Sequence, residues 1–560
     1  MGLYKKCLIL SLSSSLWLLA ASPIQDAKMQ ALYLMQQKKV EESIERYRDL
    51  AHLSGRHDFE LLQQMGLILL QKGIQQDDPQ SFLMTLFGAG FSNCARALDI
   101  LEKGLDQADP QIQLLSLNFI ARHEDDRADE LLQKAMGSDF LSTRMEAAFH
   151  LALKKHPHAV GQIEGLMFRL PPVFKPYFPP LFALIGTNDA TAVLKRLIED
   201  LDTPVRVESI LQVAHLNRDD FLPLLRKRLS LSNIAELEAT SFAMGALKDS
   251  SSLPKLQKLS RGPAESVRIA SALALLRLGD RSAVPALLES AQQNSLFAIA
   301  SLGSVSESED VLAQLLDSDD LQVRINAAIA LLQLRDPRCL PTLKEILIQD
   351  ARDLAFHPYG SIGRTLIAWK AVPSAELRSK DPTVDLSLSQ AMREHLLKEA
   401  ILLPEDHFLL LARAIFVHQQ NDLVPTLISL LENLQTPAAI DLLKWGASKI
   451  SSPLIRDYCH LSLYRLKEEG PYEEYVNHWV MHQKSSELIR LRPPLPWKYR
   501  LEQTDFSLTP DETSRLLIES FLAIANQRNE KNIDFLLKAI QLGNPQNRFA
   551  LMGLLMRATE

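Results

Sequence analysis

A chain of 560 residues with 46% hydrophobic, 6% aromatic and 23% charged residues and a mean hydropathy of -0.04 is neither disordered nor collagen-like. The formal net charge of -7 and an isoelectric point of about 6.1 argue against a general nucleic-acid binder, so any basic surface must be local. Single cores rarely grow beyond about 250 to 300 residues, so this length implies several domains unless the chain is a repeat.

Residues 1–22, MGLYKKCLILSLSSSLWLLAAS, place Lys5 and Lys6 before an apolar stretch from Cys7 to Leu19 that ends in small residues, the layout of a secretory signal. Ala20 and Ser22 suit a cleavage site and Pro23 does not, so an uncleaved N-terminal anchor is the alternative and the sole expected link to a membrane. The expectation is an exported chain, periplasmic or associated with the cell envelope. Cys94, Cys339 and Cys459 are odd in number and far apart, which predicts buried thiols in place of a disulfide framework. No Asn-x-Ser/Thr acceptor occurs, which tilts the compartment toward a bacterial periplasm.

Residues 27–107 read as a helical cap. ALYLMQQKKVEESIERYRDLA (Ala31 to Ala51) and FELLQQMGLILLQKG (Phe59 to Gly73) form an antiparallel-looking pair, weakly similar to a tetratricopeptide unit, that shields the first repeat of the array beyond it.

That array spans 108–350. Ile112, Thr143, Phe174, Val205, Glu236 and Val267 are spaced 31 residues apart. Apolar positions recur with them, Asp125, Asp249 and Asp280 fall where a turn is needed, and Pro223, Pro254 and Pro285 suit the first turn of a second helix. A unit at Val323 repeats the set with Asp336 and Pro341, after one shorter unit around Ser295 to Leu316. Each unit is a helix, an Asp-bearing turn and a second helix, and neither helix can bury its apolar stripe alone.

DLQVRINAAIALLQLRDPRCLPTLKEIL (Asp320 to Leu347) and AESVRIASALALLRLGDRSAVPALLES (Ala264 to Ser290) resemble HEAT repeats of the short, PBS-lyase-like type. The resemblance implies an all-α fold, an α-solenoid of stacked antiparallel helix pairs whose second helices line a concave face, and it carries no activity. Arg144, Arg206, Arg268 and Arg324 recur one place after the anchors, and we expect them to bond loop carboxylates such as Asp249 and Asp280. LPPVFKPYFPPLF (Leu170 to Phe182) should disrupt one first helix and bend the stack.

Residues 351–389, with Pro358, Gly360, Gly363, Pro373 and Pro382, predict a loop-rich insertion. HEAT-like helical pairs resume over 390–488. Residues 489–510 form a proline, aromatic and basic segment. Within it, RLRPPLPWKYR predicts extended polyproline II bearing Arg490, Arg492, Trp497 and Tyr499, either as a brace across helices or as a partner-binding element. Closing helices fill 511–560.

Catalytic signals are sparse. HEAT-repeat deoxyhypusine hydroxylases hold two irons on several His-Glu pairs, whereas this chain has His123-Glu124 and then Lys154-Lys155 at the repeat spacing. Bilin lyases share the repeat, but an export signal counts against them. His478 with His482, and His395 with Glu399, have ligand spacing on a helix without a completing carboxylate arrangement, and read as helix surface. No metal, cofactor or small-molecule ligand is expected.

One charge feature stands out. Arg196, Lys227 and Lys258 recur on successive second helices, flanked by Arg226 among others, and Glu289 and Glu345 reverse the sign further on. Such a strip could steer an acidic segment of a partner protein or peptide. The reading is an exported protein-protein interaction scaffold or assembly factor. The alternatives are an enzyme with a pocket between repeats and a bacterial effector that binds a host protein.

Overall fold

The computed structural model describes residues 23–76, 78–156, 159–350, 353–375, 387–489, 491–492, 507–508 and 512–560. The expected signal at 1–22, and Arg490, Trp497 and Tyr499, lie outside them. The fold is all-α, built of stacked antiparallel helix pairs, with two short antiparallel strand pairs among the described residues. The chain divides into a unit of residues 1–151 with 468–560 and a unit of residues 152–467. No helix among the described residues is long and apolar enough to cross a membrane.

In the 152–467 unit, first helices Thr203–His215, Ile234–Ala246, Glu265–Arg277, Leu296–Ser301 and Leu321–Gln333 alternate with second helices Leu222–Arg228, Leu253–Leu259, Val284–Gln292, Glu309–Leu315 and Leu340–Ile348. Consecutive first helices lie against one another. Val205, Val267 and Val323, three of the sequence anchors, are buried there. Removing a side chain of that size from water is worth roughly 1.5 to 3 kcal/mol. Contact is close because the facing residues are small: a Cβ on Gly245 would stand 2.5 Å from the Cα of Ala274. Beside it Ser271 donates to Ser241 at 3.1 Å.

The turns follow from residue chemistry. Asn217, Lys248, Gly279 and Arg335 end four first helices with positive φ, reversing the chain. Pro223, Pro254, Pro285 and Pro341 sit in the first turns of the second helices, where their missing N–H leaves nothing unpaired. The recurring arginines are structural; Arg206 does meet a carboxylate of the next repeat, Glu236 at 2.6 Å, but not the expected Asp249 or Asp280, and the shared partners are backbone carbonyls. Arg206, Arg268 and Arg324 donate to carbonyls five and six residues upstream, such as Ser318 O at 2.8 Å from Arg324, and so close the turn before their own helix. Asp249 instead accepts from Arg226, and Asp280 from Gln257, each on the second helix of the preceding repeat. The proline-rich stretch does break a first helix, into a 3-10 turn Pro172–Tyr177 and a short helix Pro179–Ile185.

The region expected to be an irregular insertion holds a β-hairpin. Strand β1 (Leu354–Gly360) pairs antiparallel with β2 (Ile367–Pro373), in register from Leu354↔Pro373 to Gly360↔Ile367. Pro358 fits because a strand at an edge tolerates the lost donor. The array continues past the hairpin: Arg393, on the helix Ser387–Ala400, is 1% exposed and donates to Leu347 O at 2.5 Å, to Gln420 Oε1 at 2.7 Å and to Asp422 at 2.6 Å. Gln420 also donates to Ile348 O at 3.0 Å. The last carbonyls of Leu340–Ile348, orphaned at a helix end, are thus capped by the next helical pair.

In the other unit, the C-terminal helix Arg548–Ala558 lies against Phe59–Gly73 and Pro79–Ser92. Glycines permit this: a Cβ on Gly553 would meet Gly88 O at 1.9 Å, and one on Gly66 would strike the Met556 side chain at 2.5 Å. Arg48 donates to Gln541 at 2.8 Å and Arg548 to Glu41. The N-terminal helices, expected to shield the first repeat, therefore also take the end of the chain as a neighbour. Leu491–Arg492 pairs with Ser507–Leu508 as a two-residue ladder, so at those positions β pairing replaces the expected polyproline II.

Candidate partner-binding face

The hairpin lies against the first helices of the 152–467 unit, and polar side chains hold it there. Leu321–Gln333 begins at Asp320, whose carboxylate accepts from Gln322 N at 2.8 Å. One turn apart on that helix, Gln322 and Asn326 face β2. Asn326 Nδ2 donates to Trp369 O, and Trp369 N donates back to Oδ1, both at 2.8 Å. Gln322 repeats the exchange with Ala371, at 2.9 and 2.7 Å. The register pairs β1 with the opposite edge of β2, so these amides act as an added strand made of side chains. The outer edge of β1 is met by the Ser389 hydroxyl, which accepts from Phe356 N at 2.5 Å and donates to Phe356 O at 3.2 Å.

Two carboxylates hold the hairpin's tip. Glu238, on the helix capped by Asn233, is fully buried. It accepts from the Ser361 hydroxyl, from Gly363 N at 2.9 Å, and from Thr365 N at 3.1 Å and Oγ1 at 2.6 Å. Glu208, 6% exposed on the preceding first helix, accepts from Arg364 at 2.6 Å and from Gln212 at 2.8 Å. A buried carboxylate is costly unless donors surround it. Gly363 is required by proximity, because a Cβ there would lie 2.6 Å from Glu238 Cδ and 2.7 Å from Ala235 O. Farther along, Tyr359 stacks on Phe297 with ring centroids 5.1 Å apart, and Lys370 Nζ lies 3.6 Å from the Tyr359 ring centroid.

The basic residues singled out from sequence stand elsewhere, on the second helices. Arg196, Arg226, Lys227 and Lys258 are all exposed. Arg196 pairs with Glu164 at 2.5 Å, and Arg226 grips both oxygens of Asp249 at 2.7 and 3.0 Å, which ties Arg226 to its own fold. That grip, with the Ser252 and Ser251 hydroxyls, holds the Asp249 carboxyl well below the usual carboxylate range. Arg492 is described only through the backbone pairing of its short strand. Glu208, Glu238, Gln322 and Asn326 escaped the sequence reading. A usable signal existed: each is a polar residue with a buried apolar neighbour in the chain, Val207, Ala239, Val323 and, on both sides of Asn326, Ile325 and Ala327.

His478 and His482 are exposed on the helix Tyr472–His482. Among the described residues no group of three or more His, Cys, Asp or Glu could hold a metal ion. Cys94, Cys339 and Cys459 are buried and unpaired, and burial pushes the Cys339 thiol up to about 12.

Comparison with known proteins agrees with the helical pairs. The HEAT repeats model matches residues 290–355 and the PBS lyase HEAT-like repeat model residues 267–293, so this stretch consists of HEAT repeats. A curated hydroxylamine reductase of Methanothermobacter thermautotrophicus is 29% identical over 121 residues, 21% of this chain and 28% of the reductase, so the match spans little more than a quarter of that relative. Among solved structures, the CpcE–CpcF complex of phycocyanin lyase from Nostoc matches at 20% identity, over 37% of this chain and 87% of that chain, with a TM-score of 0.29. Yeast importin-beta (Kap95p) matches at 12% identity, over 97% and 90% of the two chains, with a TM-score of 0.34. Likeness of this size says nothing of a shared partner or activity.

Proposed function

We propose that this protein is a protein-binding scaffold, exported to the periplasm or cell envelope, whose first-helix face grips an extended polypeptide segment of a partner. The observation that carries the reading is the pair of reciprocal amide bonds from Gln322 and Asn326 to the backbone of β2. Side-chain amides that exchange both bonds with a strand backbone recognise extended main chain whatever its sequence. The carboxylates of Glu208 and Glu238 then add selection for a donor-rich, cationic turn. Export rests on the sequence of residues 1–22.

The basic strip of Arg196, Lys227 and Lys258 is the second candidate surface, for an acidic partner, and its support is the exposure of all three residues on successive second helices. A photo-crosslinking side chain placed at Ile234, next to Ala235 at the hairpin's tip, and in a separate variant at Lys227, distinguishes the two. Adducts to one polypeptide from position 234 are expected. Adducts from position 227 alone would move the site to the basic strip.

A further inference from the structure

We propose that the β1–β2 hairpin is an internal, displaceable occupant of this face, and that the partner segment that replaces it carries the same chemistry: an extended strand beside a turn with a hydroxyl residue, a glycine and an arginine. This rests on the reading of the first-helix face as the binding surface. Three observations carry it.

The first is the polarity of the contact. Glu208, Glu238 and Asn326 are buried beneath or beside the hairpin and Gln322 is half-buried there, yet each is a side chain that water can solvate. A cover meant to be permanent would be met by apolar residues, since burying polar groups yields little net stability even when they are fully bonded. Here the face is suited to stand in water alone. The hairpin's buried Ala355, Phe356, Leu366, Ala368 and Ala371 supply the apolar area that holds it in place.

The second is independence of the array. Arg393 and Gln420 cap the helix before the hairpin from the helical pair after it, so the repeats stay joined with the hairpin lifted away.

The third is the shape of the tip. Arg364 has a φ of 59° and donates its N–H to Ser361 O at 3.0 Å, forming a tight turn that presents Ser361, Gly363, Arg364 and Thr365 to two carboxylates on successive repeats. A segment lacking the arginine leaves Glu208 without its cation. A side chain in place of the glycine collides with Glu238 and the Ala235 carbonyl.

The test uses the full chain, a variant in which residues 354–373 are replaced by a Gly/Ser segment, and a fluorescent synthetic peptide of residues 354–373. The peptide should bind the variant saturably, bind the unmodified chain at least tenfold more weakly, and lose at least tenfold in affinity when Glu238→Gln is added to the variant. Hydrogen exchange on the unmodified chain is the companion measurement. The amides of Gly363, Thr365, Trp369 and Ala371 should exchange through a local opening, at least tenfold faster than those at the centre of Leu321–Gln333. Peptide binding with hairpin exchange only through global unfolding would overturn displacement and leave the binding face intact. A folded variant that ignores the peptide would overturn both. If the variant does not fold, the exchange measurement decides the proposal on the unmodified chain.

Discussion

Asn326 and Trp369, far apart in sequence, exchange two hydrogen bonds of 2.8 Å between a helix side chain and a strand backbone. Asn326→Leu keeps the size of the side chain and removes both. The N–H and C=O of Trp369 then lose their partners, each worth about 1 kcal/mol. The expected result is a modest global destabilisation, about 1 to 3 kcal/mol in urea titration, with much faster amide exchange over residues 366–374. Unchanged exchange there would show that the amides do not hold the hairpin.

The grip of Arg226 on Asp249 makes a pH signature. Asp249 titrates below its unfolded value because Arg226, then Ser252 and Ser251, bond its ionised form. Its stabilisation is complete above the unfolded carboxylate value, near 3.9, and is lost as pH falls through the lower folded value. Asp249→Asn should therefore flatten stability against pH below about pH 4 and lower stability at neutral pH by about 1.5 to 3 kcal/mol, the range for bonds to charged groups. Parallel pH profiles of the two proteins would contradict this assignment.

Arg393 is the largest fully buried side chain of the described residues, and burial lowers its affinity for its proton. Arg393→Ala leaves Leu347 O and Asp422 without their donor and opens a cavity. A loss of about 3 to 5 kcal/mol is expected, measured by chemical denaturation. Fluorescence from a probe at position 421 should report it together with a far-ultraviolet signal, because the cap joins two stretches of one stack.

Gly553→Val tests the closure of the other unit. The added carbon meets the Gly88 backbone carbonyl, which no side-chain rotation can relieve. Overpacking of this kind costs about 1 to 3 kcal/mol or more. Limited proteolysis should then cut within residues 59–92 and 548–558 under conditions that leave the parent chain whole.

The repeats were legible in the sequence because short-range rules set them. Prolines 223, 254, 285 and 341 mark the second helices, and the anchors at 205, 267 and 323 are buried as a stacked pair requires. The hairpin was not. Its prolines and glycines at 358, 360, 363 and 373 read as breakers, while the β-branched and aromatic residues of IAWKAV carried the contrary strand signal. Glu238 and Asn326 gain their meaning only from residues 123 and 43 positions away in the chain, Ser361 and Trp369, and no periodic rule reaches that far. The close approach of Gly88 and Gly553 is hidden for the same reason.

The wedge of Arg548–Ala558 against residues 59–92 also sets an order of events during synthesis. The helices made first keep their glycine-lined groove empty until residue 558 has left the ribosome, whereas residues 152–467 contain their own neighbours and can fold earlier. Translation and folding thus run in opposite orders for the two units.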